Sequence, residues 1–182
     1  PLWCEQDPED WWQAAVQSIR QVLSTSGINK TEIAGVGLSG QMHGLVLLDA
    51  QGQVLRPCIM WNDQRTGAEC QWIMDKVGRQ RFLELTANLA LPGFTAPKII
   101  WTRNHEPEVY ARIAKVLLPK DYVRYRMTGE YVTEVSDASG TVLLFPGRTE
   151  YLEKYNDIAA ELNAAGLDVL APDWRGQGMS DR

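Results

Sequence analysis

Long apolar runs are missing from this 182-residue chain. No stretch approaches the roughly 18 residues a membrane-spanning helix requires, and no secretory leader pattern is present. Cysteine is scarce: Cys4, Cys58 and Cys70 are odd in number and lack metal-ligand spacing. A disulfide framework is therefore not expected, and reduced thiols in a cytoplasmic protein are. Basic clusters are also lacking. With a net charge of -5, the chain offers no footprint for nucleic acid. There is no internal repeat, no low-complexity segment and no G-x-S-x-G string. What remains is ordinary globular material, 45% hydrophobic and 23% charged, with seven tryptophans to fill a core or an interface.

The chain is organised around AGVGLSGQMHGLVLL, residues 34–48. Two short apolar runs bounded by glycines, 33–38 and 45–48, predict strands buried on both faces. Between them Gln41, Met42 and His43 sit in a tight polar turn flanked by Gly40 and Gly44, which allow sharp turning and close approach. An amide, a thioether and an imidazole at the mouth of a sheet suit the lip of a pocket for a small hydroxylated molecule. The alternative is a plain strand–turn–strand in which His43 only caps a loop.

Asp7, Pro8, Glu9 and Asp10 mark a helix start. Trp12, Ala15, Val16, Ile19 and Leu23 then form one apolar stripe, and Gly27 ends the helix. Residues 49–53 predict a hairpin-type turn, and 54–61 an extended stretch bent at Pro57. Asn62 and Asp63 are placed to cap a helix over 64–77 closed by Gly78, and a second helix covers 79–87. Two prolines and a glycine make 89–98 a rigid exposed loop suited to ligand contacts. Helices over 99–105 and 108–113, a strand over 115–118 and a helix over 120–128 closed by Gly129 follow. Beyond Phe145 a helix over 150–165 and a strand over 167–171 form a parallel crossover unit.

Six stretches, in order, resemble the FGGY family of sugar kinases: LWCEQDPEDWW (2–12), GLSGQMHGLVLLDAQGQVLRP (37–57), WNDQRT (61–66), LPGFTAPKIIW (91–101), VLLPKDYVRYRMTGEY (116–131) and VSDASGT (135–141). The resemblance implies an α/β fold, part of an actin-like (ribonuclease-H-like) N-terminal domain over 1–139. It also implies ATP-dependent phosphorylation of a keto-pentose, D-xylulose, in a cleft between two domains. By the same resemblance Met42 and His43 contact the sugar beside Gln41, with Trp61, Asn62 and Asp63 as further candidates. Asp63 is equally readable as a helix cap. For Phe94 to Lys98 and for Asp121 a structural role is expected, and for His105 a solvated helix end. Intact members carry a leading Asp-x-Gly strand–turn–strand and a catalytic Asp in a second domain. Neither occurs in this sequence, so no catalytic residue is assigned and a truncated, inactive domain is expected. ATP and Mg2+ are implied for the complete enzyme and are not expected to bind well here. Sheet edges left without leading strands are expected to promote self-association.

Residues 140–182 resemble instead the opening βαβ piece of an α/β-hydrolase of the lysophospholipase type. Gly147 and Arg148 stand where such enzymes build an oxyanion-hole turn, and Asp173, Arg175, Gly176, Gly178 and Ser180 match a second motif. Both histidines precede this tail, so no Ser-His-Asp triad can be assembled and Ser180 reads as a loop hydroxyl. A chimera of two truncated enzymes is the expectation for the whole chain.

Overall fold

The computed structural model describes residues 2–86 and 88–133. Its centre is Leu45 to Leu48, four residues wholly withdrawn from solvent. Strand β1 (Glu5–Gln6) pairs antiparallel with β3 (Cys58–Ile59), and β2 (Val46–Leu48) pairs antiparallel with β4 (Lys115–Leu117). An isolated bridge between Leu45 and Ile59 joins the two ladders, and one between Leu48 and Val54 closes the turn after β2. In that turn Asp49 accepts from the N–H groups of Gln51 and Gln53, and Gly52 takes the positive φ the geometry needs.

Successive strand residues face opposite ways, and both faces of β2 are covered. Val46 and Leu48 join Cys58, Met60, Leu117 and Tyr122 on one face. Leu45 and Leu47 join Ile59 and Trp101 on the other. That double burial explains an unbroken apolar run in place of alternation. Helix α1 (Pro8–Ser26) begins with Asp7 accepting from Glu9 N–H and ends at left-handed Gly27, as its punctuation predicts. It packs on α6 (Pro119–Thr128), where Arg126 pairs with Glu9 and lies over Trp12. A third cluster, Cys70, Ile73 and Ala90, joins α2 (Gly67–Val77) and α3 (Arg79–Thr86) to α4 (Thr95–His105). The single turn α5 (Pro107–Tyr110) leads into β4.

Three expectations are corrected. Residues 33–38 form no strand: they find no ladder partner among the described residues, and Ile33, Val36 and Leu38 are exposed. The α1 stripe is covered except at one position: Trp12, Ala15, Val16 and Leu23 are half-buried, whereas Ile19 lies open to solvent. Residues 95–98 belong to α4 and not to a loop, because Pro97 falls in the first helical turn, where its missing N–H costs no hydrogen bond. All three cysteines are free thiols, and no helix among the described residues is long and apolar enough to cross a membrane.

Candidate functional site

The turn between 38 and 45 is held from below by close packing. A Cβ on Gly44 would stand 2.5 Å from Pro119 Cγ and 3.2 Å from Cys58 Sγ, and one on Gly40 would stand 3.0 Å from Lys120 Cβ. Glycine lets this backbone lie directly on the start of α6. Within the turn Gly44 N–H donates to the Met42 carbonyl at 2.8 Å. His43 adopts φ 64°, and it is the one non-glycine residue with positive φ among those described. For a side chain with a Cβ this conformation costs energy and persists only where surrounding contacts enforce it.

Those contacts come from α4. Lys98 Nζ donates to the His43 carbonyl at 2.7 Å and to the Gly93 carbonyl at 2.7 Å, and Thr95 Oγ1 donates to the His43 carbonyl at 3.2 Å. The His43 ring leans on the Phe94 ring with centroids 4.6 Å apart. Lys98 is completely buried, and that burial pulls its ammonium down to about 8 despite the opposing charge of Asp63. Burial pushes the neighbouring Cys58 thiol up to about 12.

Trp61 reaches the same place through its backbone, because a Cβ on Gly93 would stand 2.6 Å from the Trp61 carbonyl oxygen. Its indole is 55% exposed, and Met42 is 47% exposed, so both remain available to a ligand. The Gln41 side chain is half-buried, and its oxygen is withdrawn from solvent without a hydrogen-bond partner. Asn62 is exposed next to Trp61, and its carbonyl accepts from the Gln64 side chain.

Asp63 points elsewhere. It is wholly buried, and Oδ2 accepts from Cys4 N–H at 2.6 Å and Arg65 Nη2 at 2.7 Å. Oδ1 accepts from the N–H and Nε of Arg65, each at 2.9 Å. Burial alone would raise this carboxyl, but the Arg65 guanidinium and the two N–H groups outweigh it and hold the pKa below its ordinary value. Nor does Asp63 cap α2, which starts at Gly67 after Thr66. Arg65 lies 4.0 Å from the Trp3 ring centroid and 4.7 Å from that of Trp101, so the pair locks the chain's opening residues to the sheet.

Two further residues keep structural surroundings. His105 stacks on Trp101 at the end of α4, with its Nδ1 3.0 Å from the Trp101 carbonyl oxygen. Asp121 is buried in the first turn of α6 with Lys120 Nζ at 3.4 Å, and it borders a cavity of about 340 Å³ between that helix and Val36 and Leu38. His43 and Trp61 are thus brought together at Gly93 and Phe94, Gln41 and Met42 precede His43 in the same turn, Asn62 follows Trp61, and Asp63 is turned into an ion pair. A structural role is expected for Lys98, and its burial against two backbone carbonyls is of that kind; its link to His43 is what the sequence reading did not include. The signal for Lys98 was the spacing of Thr95, Lys98 and Thr102, which places three polar residues on one helical face among isoleucines.

The arrangement can recognise hydroxyls through an amide and an imidazole set beside aromatic and thioether surfaces. Among the described residues no group of three or more His, Cys, Asp or Glu could hold a metal ion. The glycine-flanked turn feeds a strand and not a helix N-terminus, so it does not supply the helix-end N–H groups that cradle phosphate.

The α/β lobe with this turn on its central strand has a family, which comparison with known proteins gives. The chain belongs to the FGGY family of carbohydrate kinases: the sequence model of its N-terminal domain matches residues 1–159. It is 50% identical to the xylulose kinase of Escherichia coli K12 over 144 residues, 79% of this chain and 29% of that protein. Identity to the xylulose kinase of Bacillus subtilis 168 is 46% over 168 residues, 92% of this chain and 33% of that one. Among solved structures, the xyloylose kinase of Brucella ovis superposes with a TM-score of 0.77 at 41% identity, covering 93% of this chain and 35% of its own. The xylulose kinase of Rhodospirillum rubrum gives 0.71 at 32% identity, covering 77% and 29%. The chain therefore spans about a third of the length of these relatives, within the actin-like fold of their N-terminal portion. The turn at Gly147 and Arg148 lies outside the described residues, and the FGGY match runs through it to residue 159.

Proposed function

We propose that this chain supplies the sugar-recognition face of an ATP-dependent keto-pentose kinase, with D-xylulose as the sugar. The observation that carries the reading is His43, held in a left-handed backbone conformation by buried donors and set against Phe94. Strain maintained in a half-buried turn by surrounding contacts is characteristic of a binding residue. Met42 and Trp61 supply apolar surface for the carbon skeleton, and Gln41 and Asn62 supply hydrogen-bonding groups for its hydroxyls. The names of the relatives, xylulose kinases at 46% to 50% identity, support the same substrate class. ATP and the divalent metal of the complete enzyme would supply the phosphoryl group and neutralise its charge. The part of the chain's own residues in that reaction is to bind and orient the sugar.

The test is a D-xylulose titration of the 182-residue chain followed by the imidazole C–H resonances. With only two histidines the assignment is simple. The His43 signal is expected to shift saturably while the His105 signal stays still, and His43→Ala is expected to abolish binding detected by calorimetry. A His43 signal indifferent to sugar would overturn the proposal.

A further inference from the structure

Two walls of the lip come from distant parts of the chain, the 41–43 turn and the loop ending in Gly93 and Phe94. One atom joins them. Lys98 Nζ stands 2.7 Å from the His43 carbonyl oxygen and 2.7 Å from the Gly93 carbonyl oxygen, in a side chain that solvent does not touch. Each carbonyl belongs to a wall: His43 presents the imidazole, and Gly93 sits against the Trp61 backbone with Phe94 next in sequence. The ammonium has three donors, so it can satisfy both oxygens at once and fix the distance between them.

We propose that Lys98 is the positioning residue of the sugar lip, setting the separation of the His43 and Phe94 walls by bridging their backbones from beneath. It does not reach the sugar. A methionine at 98 would fill nearly the same space, yet it would take this donor away from both the Gly93 and the His43 carbonyls. A buried charge kept in a place where an apolar chain would pack is evidence of a task other than filling volume. Neighbouring buried groups do not take over that task. Thr102 Oγ1 donates to the Lys98 carbonyl and no farther, and the Cys58 thiol contacts the Ile59 carbonyl.

The inference rests on the sugar-binding reading, but its test separates the two. In the sugar-free chain, Lys98→Met should displace the His43 imidazole resonance as the ring leaves the Phe94 face, while the His105 resonance, on the same helix and stacked on Trp101, holds its place. D-xylulose affinity should fall about tenfold or more, the scale of one lost charge-assisted hydrogen bond. If wild type shows no sugar response, the binding proposal fails and the sugar-free resonances still judge Lys98. An unmoved His43 signal in a folded Lys98→Met chain would overturn the positioning role. So would sugar affinity unchanged to within about twofold. Should that variant not fold, Lys98→Gln decides the matter, because its shorter side chain keeps an N–H donor and cannot span both carbonyls. A displaced His43 signal there supports the clamp, and a wild-type signal with wild-type affinity overturns it.

Discussion

At the scale of single residues, burial takes water away from the Lys98 ammonium, and two carbonyls return only part of what water gave. Its pKa falls to about 8, whereas the unfolded chain releases the same proton near 10.5. Between those values the unfolded state binds more protons, so stability must rise with pH through that window. Cys58 acts in the opposite sense. Its folded thiol keeps a proton to about 12 that the unfolded chain loses near 9.0, so above 9.0 it lowers stability as pH climbs. Denaturant titrations should therefore show stability increasing from pH 8 to 9 and then levelling, and the increase should vanish in Lys98→Met. A wild-type profile that falls steadily from pH 8 would contradict this assignment. The neighbouring glycines made the 41–43 turn readable from sequence, since turning and close approach are properties of single residues. Lys98 was readable only in part: its spacing with Thr95 and Thr102 places it on a polar helix face, but that spacing does not say whether the face is buried or solvated. Asp63 shows the same limit: its partner Arg65 is two residues away, but the Cys4 N–H that completes its set is brought by the fold.

Elements report their surroundings more than their propensities. The run 45–48 and the stretch 33–38 look alike in sequence, yet the first is buried between two apolar layers and the second is open to solvent. Composition fixes that a strand is wanted, while partners decide whether one forms. Helices with strong end signals were legible almost to the residue: α1 between Asp7 and Gly27, and α6 between Pro119 and Gly129. Helix α4 was shortened in the reading because Pro97 looks like a breaker unless its place in the first turn is known. Apolar residues at buried and at open positions should respond differently to mutation. Leu45→Ala should cost about 2–5 kcal/mol by emptying a closed site. Ile19→Ser, on the open part of α1, should stay within about 0.5 kcal/mol of wild type. Urea unfolding of both variants checks the contrast, and equal losses would show that the exposed half of α1 is covered in solution.

Across the whole molecule, apolar side chains are unevenly spread. Leu2, Ile28, Ile33, Val36 and Leu38 are all exposed, as are Ile19 and Val22 on α1. Apolar side chains left open to water favour association where they meet on one face, as Val36 and Leu38 do. Sedimentation velocity over a dilution series should show mass rising with concentration, and Val36→Lys with Leu38→Lys should suppress the rise. A single monomeric mass at every concentration would refute it.

The pairing of β2 with β4 has a further consequence, for synthesis of the chain. Val46 meets Leu117, so the innermost strand leaves the ribosome well before the segment that flanks it. With about 70 positions still to be translated at about 5–20 residues per second, the delay amounts to several seconds. Throughout it, Leu45 to Leu48 is a nascent apolar segment in need of temporary shelter, and slowing translation between codons 50 and 117 would lengthen the time it is vulnerable.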